Sequence, residues 1–119
     1  MNTYPMNEYI LFLRMDILSP EAQPTPKQME IYMQQWQQWI DGIAEQNKLV
    51  EGGNHLSTTG KVIRPKQVLS DGPYVADKES VAGYILIHAK DLDDAVNVAK
   101  ACPILNGEGT SVEVRRIGS

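Results

Sequence analysis

Residues 81–89 read Val-Ala-Gly-Tyr-Ile-Leu-Ile-His-Ala, and the rest of the chain is interpreted outward from this apolar stretch. Apolar side chains at consecutive positions are typical of a strand that is covered on both faces. Gly83 marks a point where another backbone segment approaches closely. We therefore expect a central β-strand here.

A helix and a last strand are expected on the C-terminal side. Asp91 is a good N-cap, and Asp94 stands at the third helical position, where a carboxylate favours the positive end of the helix dipole. Pro103 is expected to end this helix. Its predicted buried stripe comprises Leu92, Ala95, Val96, Ala99 and Cys102. Residues 111–117 then alternate between two faces, which predicts a strand.

The N-terminal side predicts a strand, a loop and a long helix. Residues 9–15 read Tyr-Ile-Leu-Phe-Leu-Arg-Met, a run too short for a buried helix, and residues 19–26 hold three prolines. Thr25 and Pro26 are favoured at the N-cap and first position of a helix, which we expect to reach about Gln46, with Asn47 left-handed. Its apolar stripe comprises Met29, Tyr32, Met33, Trp36, Trp39, Ile40 and Ile43.

The middle of the chain is more polar. Gly52-Gly53 interrupts the pattern, and residues 54–58 and 61–66 are predicted to form a hairpin through Thr59-Gly60. Asp71-Gly-Pro73 consists of turn formers and predicts a sharp reversal.

The predicted order is β-α-β-(β)-β-α-β, which is the pattern of a ferredoxin-like α+β sandwich. We expect one domain over residues 1–119, with residues 1–7 as an N-terminal extension. Two helices cover one face of such a sheet, whereas its central strands are apolar on both. A second copy is the expected cover for the other face, which gives a homodimeric α+β barrel.

Composition argues against several classes of protein. The net charge of −4 comes from 15 acidic and 11 scattered basic residues, so a nucleic-acid partner is not expected. The apolar runs are too short to cross a bilayer, and no signal peptide is visible. A single cysteine, Cys102, excludes an intrachain disulfide and fits a cytoplasmic location. No cofactor or metal is expected.

The chain also resembles a known family over residues 8–117. The resemblance is carried by Asp71-Gly-Pro-Tyr74 with the following Val-Ala-Asp-Lys-Glu79, by residues 81–84, by Asp91-Leu-Asp-Asp-Ala95, by Ala101-Cys-Pro103 and by residues 112–115. In this order and spacing they resemble the DGPF subgroup of the YCII-related family. The resemblance implies a dimeric α+β barrel without an assigned activity, and a link of some members to sigma-factor proteins.

This sequence departs from the family pattern at three points. Tyr74 replaces the phenylalanine of the motif, and Ala76 stands where an acidic residue is usual. YCII proteins pair a histidine on the first helix with an aspartate, and this helix contains no histidine. A His-Asp pair of that design is therefore not expected.

Asp71, His55 and Tyr74 are the candidates for chemistry. Asp71 could aim its carboxylate into a cleft or serve as an Asx-turn acceptor. His55 could be a general base, a role that histidine side chains often take, or an ordinary surface histidine. Tyr74 could offer its hydroxyl to a ligand or pack at the barrel rim.

Further candidates are Arg14 and Trp36. Arg14, in an apolar strand, could anchor an anionic ligand or form an internal salt bridge with Glu113 or Asp71. Trp36 shares a helix face with Trp39 and could be core or pocket wall. His88 is expected to cap the sheet edge, and Cys102 to be a small core residue.

The sequence favours a small-molecule-binding or accessory protein with a cleft near the Asp71 motif, binding a small anionic or aromatic ligand through Arg14, Trp36, Asp71 and Tyr74. A cofactor-independent lyase or isomerase is the alternative, with Asp71 or His55 moving a proton on an aromatic or dienoic substrate. The third hypothesis is an interaction module linked to sigma-factor regulation.

Overall fold

The two apolar stretches form the centre of a four-stranded antiparallel sheet. The computed structural model of the chain describes residues 6–118. The strands of the sheet are β1 (Asn7–Asp16), β2 (Leu49–His55), β5 (Glu79–Ala89) and β6 (Thr110–Arg116), in the order β2-β5-β1-β6. A separate two-stranded sheet consists of β3 (Lys61–Arg64) and β4 (Val68–Asp71). The helices are α1 (Pro26–Glu45) and α2 (Leu92–Ala99).

This arrangement is a ferredoxin-like α+β fold, with the β3–β4 hairpin inserted between its second and third sheet strands. The predicted fold class is therefore confirmed. β1 begins at Asn7, inside the predicted N-terminal extension, and residues 1–5 of that extension lie outside the described residues. None of the helices in residues 6–118 is long and apolar enough to span a membrane.

The core lies between the sheet and the two helices. β1 and β5 contribute Leu11, Leu13, Ile85 and Ile87, none more than 1% exposed, because alternate residues of a strand point to the same face. Cross-strand register places Leu11 opposite Ile85. From the helices, the buried residues of this cluster are Trp39, Ile40, Ile43, Ala95 and Ala99.

Capping residues set the start of both helices as predicted. The Thr25 hydroxyl accepts a hydrogen bond from the Gln28 amide at 3.1 Å, and the Gln28 side chain accepts one from the Thr25 amide at 2.8 Å. The Asp91 carboxylate accepts one from the Asp94 amide at 2.8 Å. At the end of α1, Asn47 has φ +59°, which is the left-handed conformation expected there.

The end of α2 differs from the prediction. The helix stops at Ala99, four residues before Pro103, and Pro103 instead begins a short 3-10 turn. Cys102 is buried as expected but lies beyond the helix, and Leu92 is 54% exposed although the stripe predicted it to be buried. The first position of a short helix lies at its frayed end, so periodicity alone does not decide its burial.

The predicted hairpin through Thr59-Gly60 is wrong. Residues 49–55 run along β5, and the hairpin that forms joins β3 to β4 through Pro65-Lys66-Gln67. Pro65 cannot donate to a strand ladder, and Lys66 and Gln67 both adopt left-handed backbone angles. We call this hairpin, residues 61–71, the arm.

The base of the arm and the return to β5 are held by backbone hydrogen bonds. The Gly72 amide donates to the Gly60 carbonyl at 2.8 Å, which closes the base. The chain then reverses at Asp77-Lys78, where Ala76 and Glu79 exchange two bonds of 2.9 Å. The reversal predicted at Asp71-Gly-Pro73 is therefore spread over two turns.

The Gly52-Gly53 interruption is a close approach of two strands. Gly53 has φ +66°, and a Cβ built there would overlap the Tyr84 carbonyl of β5. The opposite case is Gly42, in the interior of α1, where an added Cβ meets no atom within 4 Å. Glycine is thus required at position 53 but not at position 42.

We expect Gly53→Ala to lower the free energy of unfolding by about 2 kcal/mol or more, because the left-handed angle and the overlap act together. Gly42→Ala is the matched control and should raise it by about 0.5–1 kcal/mol through helix propensity. Urea unfolding followed by circular dichroism measures both. An unfolding midpoint for Gly53→Ala equal to that of the natural protein would contradict the close approach.

Candidate functional site

Helix α1 packs tightly against the sheet along its C-terminal half only. Trp39, Ile40 and Ile43 are buried there, and the Trp39 indole N–H donates to the Val98 carbonyl at 3.2 Å. In the N-terminal half, Tyr32 is half-buried and Met33, predicted to belong to the apolar stripe, is 44% exposed. The first half of the helix therefore stands over a space instead of sealing the core.

That space is a cleft of about 1030 Å³. Leu13, Met15 and Gly83 of the sheet form its floor, and Met29, Tyr32 and Trp36 of α1 form its roof. The end of β2 and the loop before β6 close its sides, with Gly53, Asn54, His55, Pro103, Ile104, Asn106 and Thr110 among the lining residues. Its volume is at the upper end of the range for small-molecule pockets.

Aromatic rings dominate the roof of the cleft. The ring centroids of Tyr32 and Trp36 are 6.3 Å apart, and those of Trp36 and Trp39 are 5.3 Å apart in an edge-to-face arrangement. Trp36 is thus held by the buried Trp39 on one side, which fixes the indole without covering it completely. The sequence left open whether Trp36 is core or pocket wall, and it lines the cleft while also packing against the core.

Two weakly acidic groups near this roof, the Tyr32 phenol and the Cys102 thiol, stay protonated at neutral pH because burial raises their pKa values. Burial raises the pKa of the Tyr32 phenol, and the nearby Cys102 thiol raises it further. Burial also raises the pKa of the Cys102 thiol to about 11. At neutral pH the thiol is protonated and therefore a poor nucleophile, so Cys102 is the core residue that the sequence predicted.

The charged side chains that line the cleft are mostly acidic. Asp16, Glu21 and Glu108 contribute carboxylates, and Lys78 contributes one ammonium group. The Asp16 carboxylate accepts hydrogen bonds from the amides of Ser19 and Leu18, at 3.0 and 2.8 Å. These hydrogen bonds lower the pKa of Asp16, and the bond from the Ser19 amide has the largest effect. The carboxyl group therefore stays ionised at neutral pH.

The structure brings two of the predicted site residues to the cleft and leaves three elsewhere. Trp36 and His55 line it. Asp71 lies at the end of the arm, where its 92% exposed carboxylate forms a 2.8 Å ion pair with Lys61. Tyr74 is 64% exposed, and its carbonyl accepts a hydrogen bond from the Ser80 hydroxyl. The cleft is therefore not built around the Asp71 motif in a single protomer.

Arg14 lies on the face of the sheet opposite the helices. Its guanidinium donates to the Glu113 carboxylate at 2.8 Å, which is one of the two internal salt bridges considered from the sequence. This bond is the main cause that lowers the pKa of Glu113, and a longer bond from Arg115 adds to it. Arg14 thus has a partner within its own chain.

His88 lies on the same face as Arg14, opposite Glu8 in the central strand pair. The expectation that it caps a sheet edge is therefore wrong, because β5 is flanked by β1 and β2. Within residues 6–118, its buried Nδ1 atom has no hydrogen-bond partner. No three His, Cys, Asp or Glu side chains in these residues come together in a way that could hold a metal ion.

Sequence reasoning missed Asp16, the buried acid of the cleft. The sequence Asp16-Ile-Leu-Ser19, at the end of an apolar strand, could have indicated it. An aspartate at such a position can accept hydrogen bonds from the backbone amides of the following turn. Lys78 was missed because nothing local indicates that the Asp77-Lys78 turn reaches the cleft.

Fold and cleft together define a ferredoxin-like α+β domain with an apolar, aromatic-roofed cavity between its first helix and its sheet. The family model of the YCII-related domain matches residues 11–118, so the chain belongs to the YCII-related family. The comparison with curated proteins found no match.

We expect Arg14→Met to raise the pKa of Glu113 toward its usual value of 4.5, because the largest stabilising contact of the carboxylate is removed. Carbon-detected NMR titration of the carboxyl group measures it. Arg116→Met is the control, since Arg116 bonds Asn7 and should leave the pKa of Glu113 unchanged.

The sign of the linked stability effect follows from the lowered pKa. The pair stabilises the fold fully above the usual pKa of 4.5, and this contribution is lost as the pH falls through the folded-state pKa. A Glu113 pKa in Arg14→Met that equals that of the natural protein would contradict the assigned salt bridge.

Proposed function

We propose that this protein is a small-molecule-binding or accessory protein of the DGPF subgroup, which works as a homodimer with one cleft in each protomer. The observation that supports the binding role is that only the C-terminal part of α1 is buried, whereas Tyr32 in its first half and Trp36 at its middle roof an apolar cavity. A core-only helix would bury this half. The subgroup assignment is supported by Asp71-Gly-Pro-Tyr74, and the lone, buried thiol of Cys102 fits a reducing cytoplasm.

The lining favours an uncharged aromatic ligand over an anion. Three carboxylates and one ammonium group surround the cleft, and Arg14 is on the other face of the sheet, paired with Glu113. An anion would therefore enter a negative environment without a guanidinium to bind it. A planar ring can instead stack on Trp36 and contact Met15 of the floor and Met29 of the roof.

The second candidate function is that of a proton-transfer enzyme. The observation that favours it is the position of His55 at the cleft. The imidazole of His55 is at the cleft, where it could accept a proton from a bound aromatic or dienoic substrate. Asp71, the other predicted base, is committed to Lys61 on the arm. Turnover that depends on His55 and not on Asp71 would favour this candidate. The interaction module linked to sigma factors rests on the resemblance alone.

The homodimer is proposed from the face of the sheet that the helices leave bare, which we call the open face. Its centre consists of two cross-strand pairs, Ile10 opposite Leu86 and Phe12 opposite Tyr84. All four side chains are half-buried and lie outside the core cluster. The described chain is 19 Å thick along its shortest axis, which corresponds to one sheet and one layer of helices.

A second copy suits the open face because the same patch can cover itself across a two-fold axis. An apolar patch in the middle of a sheet is costly to leave in water, at about 25 cal/mol for each Å² exposed.

For ligand binding, we expect a panel of small aromatic molecules to contain a ligand that quenches tryptophan fluorescence. Trp36→Leu should weaken its binding about fivefold, because a stacked aromatic contact is worth roughly 1 kcal/mol. Gln38→Ala, on the exposed side of the same helix, is the matched control and should bind normally. Equal affinity of Trp36→Leu and the natural protein would remove the cleft as the site.

For the dimer, we expect sedimentation velocity at micromolar concentration to show a particle of two chains. Leu86→Lys places an ammonium group at the centre of the open face and should weaken dimerisation about 100-fold or more. Gln34→Lys adds the same charge on the exposed face of α1 and should leave the dimer intact. A natural protein that stays a monomer under these conditions would refute the homodimer.

A further inference from the structure

We propose that the arm, residues 61–71, is a second dimer contact that packs on the body of another copy of this chain. The inference rests on the homodimer proposed above and extends it from the open face to a separate surface. Three features of the arm support it: its distance from the body, its exposed apolar side chains and its charge.

The arm extends away from the rest of the domain. In residues 6–118, β3 and β4 form a sheet of their own, and their ladder bonds run from one to the other. The radius of gyration is 15.8 Å, whereas a compact chain of this length has about 13.5 Å. An isolated two-stranded hairpin is marginally stable in water, so this one gains from a surface that covers it.

The arm presents apolar side chains to solvent. Ile63 and Leu69 face each other across its two strands and are 70% and 58% exposed. Val68, on the opposite side of the hairpin, is 55% exposed. The Lys61–Asp71 ion pair borders the Ile63–Leu69 pair on the same side. An apolar pair bordered by polar groups is the pattern of a small protein contact surface.

Charge complementarity favours a second copy as the occupant. The arm contains Lys61, Arg64 and Lys66 against Asp71, which gives it a net charge of +2. The chain as a whole has −4, so the remaining residues have −6. An arm of one copy is therefore attracted to the body of another, and the two-fold axis of a homodimer repeats this contact.

Photo-crosslinking tests where the arm lies. Leu69→Cys is labelled with a benzophenone maleimide, while Cys102, 2% exposed, is inaccessible to the reagent. We expect irradiation of the dimer to give a covalent product of two chains. Leu18→Cys, labelled in the same way, is the control, since Leu18 is equally exposed on the body at 60%. It should give little of that product.

Sedimentation then measures what the arm contributes. Ile63→Ser combined with Leu69→Ser should raise the dimer dissociation constant about 30-fold, because both residues are anchors of the contact. The double control Leu18→Ser with Leu92→Ser removes apolar side chains of similar exposure and should change it less than about twofold. All four positions are exposed, and circular dichroism confirms that each variant is folded.

The outcomes separate the arm from the homodimer. A crosslink specific to position 69, together with the weakened dimer, supports the arm contact. A dimer whose dissociation constant is the same with and without Ile63 and Leu69, and which crosslinks equally from positions 18 and 69, overturns the arm and leaves the open-face dimer standing. A natural protein that is monomeric overturns both.

Discussion

The contact between Leu11 and Ile85 at the centre of the sheet is the constraint on which the rest of the structure depends. Both side chains have no exposed surface, and burial of residues of this size is worth about 1.5–3 kcal/mol each. Once they point toward the helices, alternation sends Phe12 and Tyr84 to the opposite side. The open face is therefore a direct consequence of how the core is filled.

Helix α1 has two structural roles, one in each half. Its second half completes the core through Trp39, Ile40 and Ile43, whereas its first half is kept off the sheet and roofs the cleft. The edge-to-face contact between Trp36 and Trp39 lies where these two roles meet. Neighbouring parts of one continuous helix thus complete the core and roof the cleft.

The fold was predictable from the sequence because its signals are local. The capping residues Thr25 and Asp91 and the apolar run 81–89 are each interpretable within a few residues. The hairpin was misplaced because Thr59-Gly60 and Pro65-Lys66-Gln67 are both plausible turns, and pairing of β2 with β5 decides between them. Of the site, Trp36 and His55 could be proposed, while Asp16 could not be connected to them, since the cleft brings together segments far apart in sequence.

Only the C-terminal half of α1 is buried against the sheet. The residues of this helix that stabilise the fold are therefore different from those that would contact a bound molecule. Met29 and Met33 can change in size or polarity with little effect on the close-packed centre, because neither side chain is buried in it or packed against it. The same scaffold can therefore accept differently shaped cavities. A change in the shape of the cleft need not prevent the domain from folding.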